Sequence, residues 1–128
     1  RSVETLVKFG HNVGLALQML DDLGSFVAQD RHYKGLEDLR NQRISWVWAW
    51  ASESLTASDF QRLIEQVSDE ASLPRLRSRL AGIVEPIGRT RVRSLLETSE
   101  VELRAQFSGN DTLDLVHDEL ARLERSYG

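Results

Sequence analysis

Apolar positions along the chain recur at the i, i+3, i+4, i+7 spacing of a helix and nowhere in the two-residue alternation of a strand. The spacing predicts a first helix over residues 3–27, with Ser2 placed to cap its start. Residues 28–40, AQDRHYKGLEDLR, lose the periodicity and read as a polar loop. Asn41 then caps a second helix through about Ser54, with Ile44, Val47, Trp48 and Ala51 at core spacing. The run Thr56 to Asp59 caps a third, carrying Phe60, Leu63, Ile64 and Val67 at helical spacing. Ser72-Leu73-Pro74 opens a fourth, with the proline in the first turn where its missing N–H costs nothing. Pro86 and Gly88 predict a break or kink. A longer helix follows over residues 88–107, with Val92, Leu95, Leu96 and Val101 facing in. A turn at 108–111 leads to a last helix over 112–126 that buries Leu113, Val116, Leu120 and Leu123. Strand signals and internal repeats are absent, so the class is all-α, a bundle of about five to six helices.

One stretch departs from ordinary amphipathicity. From Phe9 to Phe26 there is no Lys, Arg or Glu, and the residues are mostly apolar or glycine. Gln18, Asp21, Asp22 and Ser25 form a single polar stripe at helical spacing, continued upward by Gly14 and His11. A surface helix normally spends long charged side chains on its wet side, so this one is expected to be buried nearly all round. Gly10, Gly14 and Gly24 make sense there if a neighbouring helix approaches closely. Two carboxylates on such a helix need a cationic partner. A hard cation such as Mg2+ suits them, because it takes one or two protein carboxylates and leaves positions for water or phosphate. The following loop supplies Lys34 and Asp38, and Arg43 comes just after it, which together suit a metal-bridged diphosphate.

Composition narrows the picture further. A net charge of -4 gives no general attraction to nucleic acid or to an anionic membrane. The absence of cysteine removes disulfides and thiolate metal sites and fits a cytoplasmic setting. No apolar run approaches the roughly 20 residues needed to cross a bilayer. The only methionine is Met19, so the chain starts at Arg1 without an initiator and reads as a processed product or the later piece of a longer protein. The remaining candidates carry less. Trp46 and Trp50 are i, i+4 neighbours of core or interface type, and Trp48 lies on another face. The Arg75/77/79 and Arg89/91/93 runs sit in an acidic chain, and His11, His32 and His117 show no ligand spacing, with His11 expected as a hydrogen-bonded core residue.

The run Gln18-Met19-Leu20-Asp21-Asp22-Leu23-Gly24-Ser25 resembles the second aspartate-rich motif of the polyprenyl diphosphate synthases. Lys34 to Leu39, and then Asn41-Gln42-Arg43-Ile44-Ser45-Trp46, is similar to that family's basic loop, with Lys, Asp, a basic residue, Ser and Trp in register. The closing Leu123 to Gly128 resembles the family's C-terminal end. The resemblance implies an isoprenoid-synthase-type bundle of which this chain is the C-terminal part. It implies Asp21 as a direct Mg2+ ligand with Asp22 beside the metal and its bound water. Gln18 would lie next to the allylic diphosphate, Lys34 and Arg43 would contact that diphosphate, and Asp38 and Ser25 would stand behind the ligands. The implied activity is Mg2+-dependent prenyl transfer between an allylic diphosphate and isopentenyl diphosphate.

Three features depart from the pattern. Ser25 stands where the family has its third Asp, and Arg43 replaces the more usual Lys. The resemblance also covers only the second half of such a synthase. An N-terminal half is therefore expected as a partner, either as a separate subunit or as the same chain nicked, and the assembled unit is a candidate dimer. Such assembly predicts a large apolar face on this chain. A terpene cyclase of the same fold and a non-catalytic subunit that regulates or stabilises a synthase are the alternative readings.

Overall fold

The computed structural model describes residues 2–27, 32–107, 109 and 111–127. Six α-helices and one 3-10 turn account for nearly all of them, with no strand among the described residues. They are α1 (Ser2–Val27), α2 (His32–Arg40), α3 (Trp46–Ser54), α4 (Ala57–Gln66), α5 (Leu73–Gln106) and α6 (Thr112–Tyr127), with the 3-10 turn at Glu70–Ser72 before α5. The fold is all-α. No helix among the described residues is long and apolar enough to cross a membrane.

The chain divides into two compact units, Arg1–Leu20 with Arg89–Gly128, and Asp21–Gly88, and both α1 and α5 contribute to each. In the first unit, α5 and α6 bury Val92, Leu96, Leu103, Leu113 and Leu120. Each such side chain contributes about 1.5–3 kcal/mol by leaving water. A polar seam runs beside these apolar contacts. Glu100, only 15 % exposed, faces His117 Nδ1 at 2.7 Å and accepts from Arg104 at 3.3 Å. Arg104 also reaches Asp114 at 3.1 Å and the Leu113 carbonyl. Lys8 meets Glu102 at 3.1 Å, which ties the start of α1 to α5.

In the second unit the core is Leu23, Phe26, Leu39, Val47, Trp50, Leu63 and the inward face of α5 at Leu73, Leu76, Leu80 and Val84. Two glycines set its geometry. A Cβ on Gly88 would lie 2.8 Å from the Trp50 ring, so the bare backbone of α5 is what lets the indole lie down. A Cβ on Gly35 would lie 2.3 Å from the Ser25 carbonyl oxygen, so α2 rests directly on the backbone of α1. Arg77 of α5 braces the same junction by donating to the Phe26 carbonyl in the last turn of α1, where the helix leaves its carbonyls unpaired. Thr56 caps α4 through the Asp59 N–H, as its position predicts.

Several sequence expectations are corrected. Residues 32–40 of the expected loop form α2; residues 28–31 lie outside the described ones. Their polarity hid a helix that buries a narrow face of Gly35 and Leu39. Asn41 caps no helix, because α3 starts later, after Ser45. Pro86 and Gly88 do not break α5. Pro86 and Gly82, whose carbonyl loses its partner to the proline, are both exposed, so water can satisfy that carbonyl at modest cost. Ile44 and Val101 face solvent at 93 % and 67 % exposure. His11 is exposed rather than in the core. The first turns of α1 are not buried all round, since Val3, Leu6 and Val7 are exposed, and nothing lies within 4 Å of a Cβ at Gly10 or Gly14. Ser2 is already helical. Of the expected turn at 108–111, Ser108 and Asn110 lie outside the described residues, and Gly109 takes a φ of 83°.

Two outcomes are expected. Gly35→Ala lowers the melting temperature because its Cβ meets backbone that cannot give way. Gly10→Ala, in open space on an exposed helix, raises stability by about 0.5–1 kcal/mol; equal effects of the two in thermal melts would contradict this account. The Glu100 hydrogen bond holds the His117 imidazolium pKa above its ordinary value, with the Glu100 charge adding to it. That contribution to stability is complete below pH 6.5 and is lost as pH rises through the higher folded value. Denaturation across this range therefore shows a fall in stability with pH that His117→Gln removes.

Candidate diphosphate and metal site

The last turns of α1 present Asp21 and Asp22 on adjacent positions. The glycine contact at Gly35 brings α2 against this turn, and Lys34, next in sequence to that contact, places its Nζ 3.2 Å from Asp21 Oδ2. The end of α2 supplies the next element. The Gln42 N–H bonds the Leu39 carbonyl at 3.0 Å and the Arg43 N–H bonds the Asp38 carbonyl at 2.9 Å. Together with the left-handed φ of 53° at Gln42, this is a Schellman cap. Such a cap brings the side chains at its two ends together, and here they are Asp38 and Arg43, with Oδ1 and Nη1 3.6 Å apart.

The chain then runs extended through Ser45 and enters α3. Ser45 occupies the cap position but its hydroxyl makes no cap bond. The cap comes from another helix: Asp22 Oδ2 accepts the Trp46 N–H at 3.1 Å. A carboxylate at a helix start also meets the positive end of the helix dipole. Trp46 in turn stacks on Trp50 with ring centroids 6.1 Å apart, which joins this site to the core. The Ser45 Oγ is buried with no partner among the described residues. An orphaned buried hydroxyl marks a place for a water or ligand oxygen.

The electrostatics follow from this placement. Burial pushes the Asp22 carboxyl above its ordinary value; the Trp46 N–H opposes this, Asp21 and Asp38 add to it, and Lys34 opposes it. Asp21 and Lys34 are more open, with side chains 42 % and 37 % exposed. An ion pair of that exposure is worth about 0–1 kcal/mol, so an incoming anion or cation exchanges it cheaply. The Asp38 carboxylate is only 14 % exposed and keeps Arg43 beside it. Asp21, Asp22, Lys34, Asp38 and Arg43 all belong to the second unit, with Lys34 against Asp21, Arg43 against Asp38, and Asp21, Asp38 and Lys34 all acting on Asp22. Gln18 is exposed and belongs to the first unit. Ser25 is 1 % exposed and donates back to the Asp21 carbonyl at 3.0 Å, so it steadies the helix and presents no oxygen to a ligand.

No three His, Cys, Asp or Glu side chains among the described residues gather to hold a metal ion by themselves. Two adjacent carboxylates still fit Mg2+, which commonly takes one or two from protein and the rest from phosphate and water. The donor set therefore suits a metal that arrives with a phosphate ligand. Sequence reasoning missed two contributors. Gly35 makes the approach and Arg77 braces the end of α1, and neither residue's identity carries a mark of its role. Ser45 is marked only by its place in the motif, not by its buried hydroxyl.

Asp22→Asn keeps an acceptor for the Trp46 N–H and removes a half-buried charge. Because the folded pKa is raised, the charge costs stability above pH 3.8 and costs progressively less as pH falls through the folded value. In the ligand-free protein at neutral pH the variant is expected to melt higher than wild type, with the gain vanishing in acid; a lower melting temperature would show that the carboxylate charge itself holds α3.

No protein-family model matches the chain, and no curated protein and no solved structure matches it either.

Proposed function

We propose that this chain supplies the second aspartate-rich metal site and the diphosphate-binding loop of a Mg2+-dependent prenyltransferase that joins an allylic diphosphate to isopentenyl diphosphate. The observation that carries the reading is the chain of contacts that links Asp21 and Asp22 of α1 to Lys34 and Asp38 of α2, and through Asp38 to Arg43. The resemblance of these same positions to the synthase motifs supports it. Asp21, the more open carboxylate, would hold the metal, and Asp22 would stand beside it to orient its water while it caps α3. Lys34 would exchange Asp21 for a phosphate oxygen, and Arg43 would offer another edge of its guanidinium to the same group while it keeps Asp38. Mg2+ would supply charge neutralisation on the departing diphosphate. Lys34 and Arg43 would share that work from the protein side, as charge-assisted hydrogen-bond donors to the phosphate oxygens.

The first aspartate-rich motif and the isopentenyl diphosphate site belong, on this reading, to an N-terminal half outside this sequence. The chain binds the diphosphate group and needs that half for turnover.

Titration calorimetry with inorganic diphosphate, with and without Mg2+, tests the reading. Binding is expected to require the metal. Asp21→Asn should weaken the Mg2+-dependent binding about tenfold or more, and Lys34→Gln about three- to tenfold, the range for partly exposed charge-assisted hydrogen bonds. Diphosphate binding that ignores both Mg2+ and Asp21→Asn would overturn it.

A further inference from the structure

We propose that the cleft between α3 and α4 is a separate ligand site for a small amphiphilic anion with a flat or branched apolar body. The cleft has a volume of about 390 Å³. That lies in the range of pockets that enclose a small organic molecule. Its wall is made by Trp48 and Phe60, packed edge to face with centroids 6.0 Å apart, and by Ile64 and Val67. Ile44 stands at its edge, 93 % exposed, and Ile64 is 41 % exposed. Isoleucines left in water on a concave wall are what an apolar ligand would cover, at about 25 cal/mol for each Å² removed from solvent.

Charge selects the class of ligand. The lining holds one cation, Arg43, and no carboxylate. The Arg43 side chain is 65 % exposed, and its contact with Asp38 is loose at 3.6 Å. The Asp38 side chain is only 14 % exposed, so the guanidinium keeps that contact and offers another of its edges to an anionic head at the rim while the body lies against the rings. Gln42 and Ser68 add neutral donors at the rim. Gln42 is also the described non-glycine residue with positive φ, so this lip is held in a conformation that a side chain rarely adopts. The cleft lies wholly within the second unit. It shares Arg43 with the diphosphate site but neither needs Mg2+ nor uses Asp21, so the two readings fail separately.

Proton–nitrogen NMR of the chain, titrated with 2-naphthalenesulfonate and with the neutral 2-naphthalenemethanol, tests the proposal without Mg2+. The sulfonate should give saturable one-to-one shifts at the Trp48 indole N–H and at the amides of Ile44, Ile64 and Val67. It should bind about three- to fivefold tighter than the alcohol, as one partly exposed charge contact allows. Arg43→Gln should remove that preference and keep the alcohol's affinity. Ile64→Glu, at a partly exposed position, should abolish binding of the sulfonate, and Asp21→Asn should change nothing. Equal affinity for the two probes would overturn the proposal, as would shifts scattered over Val3, Leu6 and Leu115. Self-association abolished by Ile64→Glu would overturn it too, by showing that a second copy of the chain covers the cleft.

Discussion

The second unit depends on one close approach, the backbone of α2 at Gly35 lying on the carbonyl of Ser25. Any side chain at Gly35 would drive the helices apart. Because none is there, Lys34 falls beside Asp21, and the Schellman cap that ends α2 turns Arg43 back over Asp38. The same placement sets the extended segment through Ser45, so that the start of α3 arrives at Asp22. Arg77 closes the junction from α5. The positions of the candidate charges thus follow from a steric fact beside them, not from attraction among the charges. Ion pairs this exposed are too weak to organise helices.

Asp22 joins site and scaffold. It is the cap of α3 and also one of the two carboxylates proposed at the metal. Through Trp46 stacked on Trp50, and Trp50 lying on Gly88, the site is continuous with the apolar core. A half-buried carboxylate with like charges nearby strains the ligand-free protein, and a bound cation would relieve that strain. Function and stability then pull in opposite directions at this one residue, a common arrangement where a site must be ready for a ligand before it comes.

The apolar surface divides in the same way. In the first unit Val3, Leu6 and Val7 of α1, Val101 of α5 and Leu115 of α6 are exposed. In the second unit Ile44 and Ile64 lie instead at a concave cleft with a cation at its rim. A concave wall with one charge selects for shape and sign, whereas exposed side chains on a helix surface select only for apolarity.

The sequence by itself determined the helical class, the cap at Thr56, the burial of Leu63 in α4 and of Leu113 and Leu120 in α6, and the adjacency of Asp21 and Asp22. Each of these is local, fixed by a 3.6-residue period or by a hydrogen bond spanning three residues. Tertiary structure decided what the local pattern left open. It made α2 a helix despite its polarity, and it carried α5 through Pro86, whose unpaired carbonyl partner faces water. It sent Ile44 outward although its spacing matched the core, because α3 begins two residues later. It also separated four glycines that look alike in sequence: Gly10 and Gly14 face open space, while Gly35 and Gly88 each hold a neighbour too close for any side chain. A glycine's role lies in what stands opposite it, and that is written elsewhere in the chain.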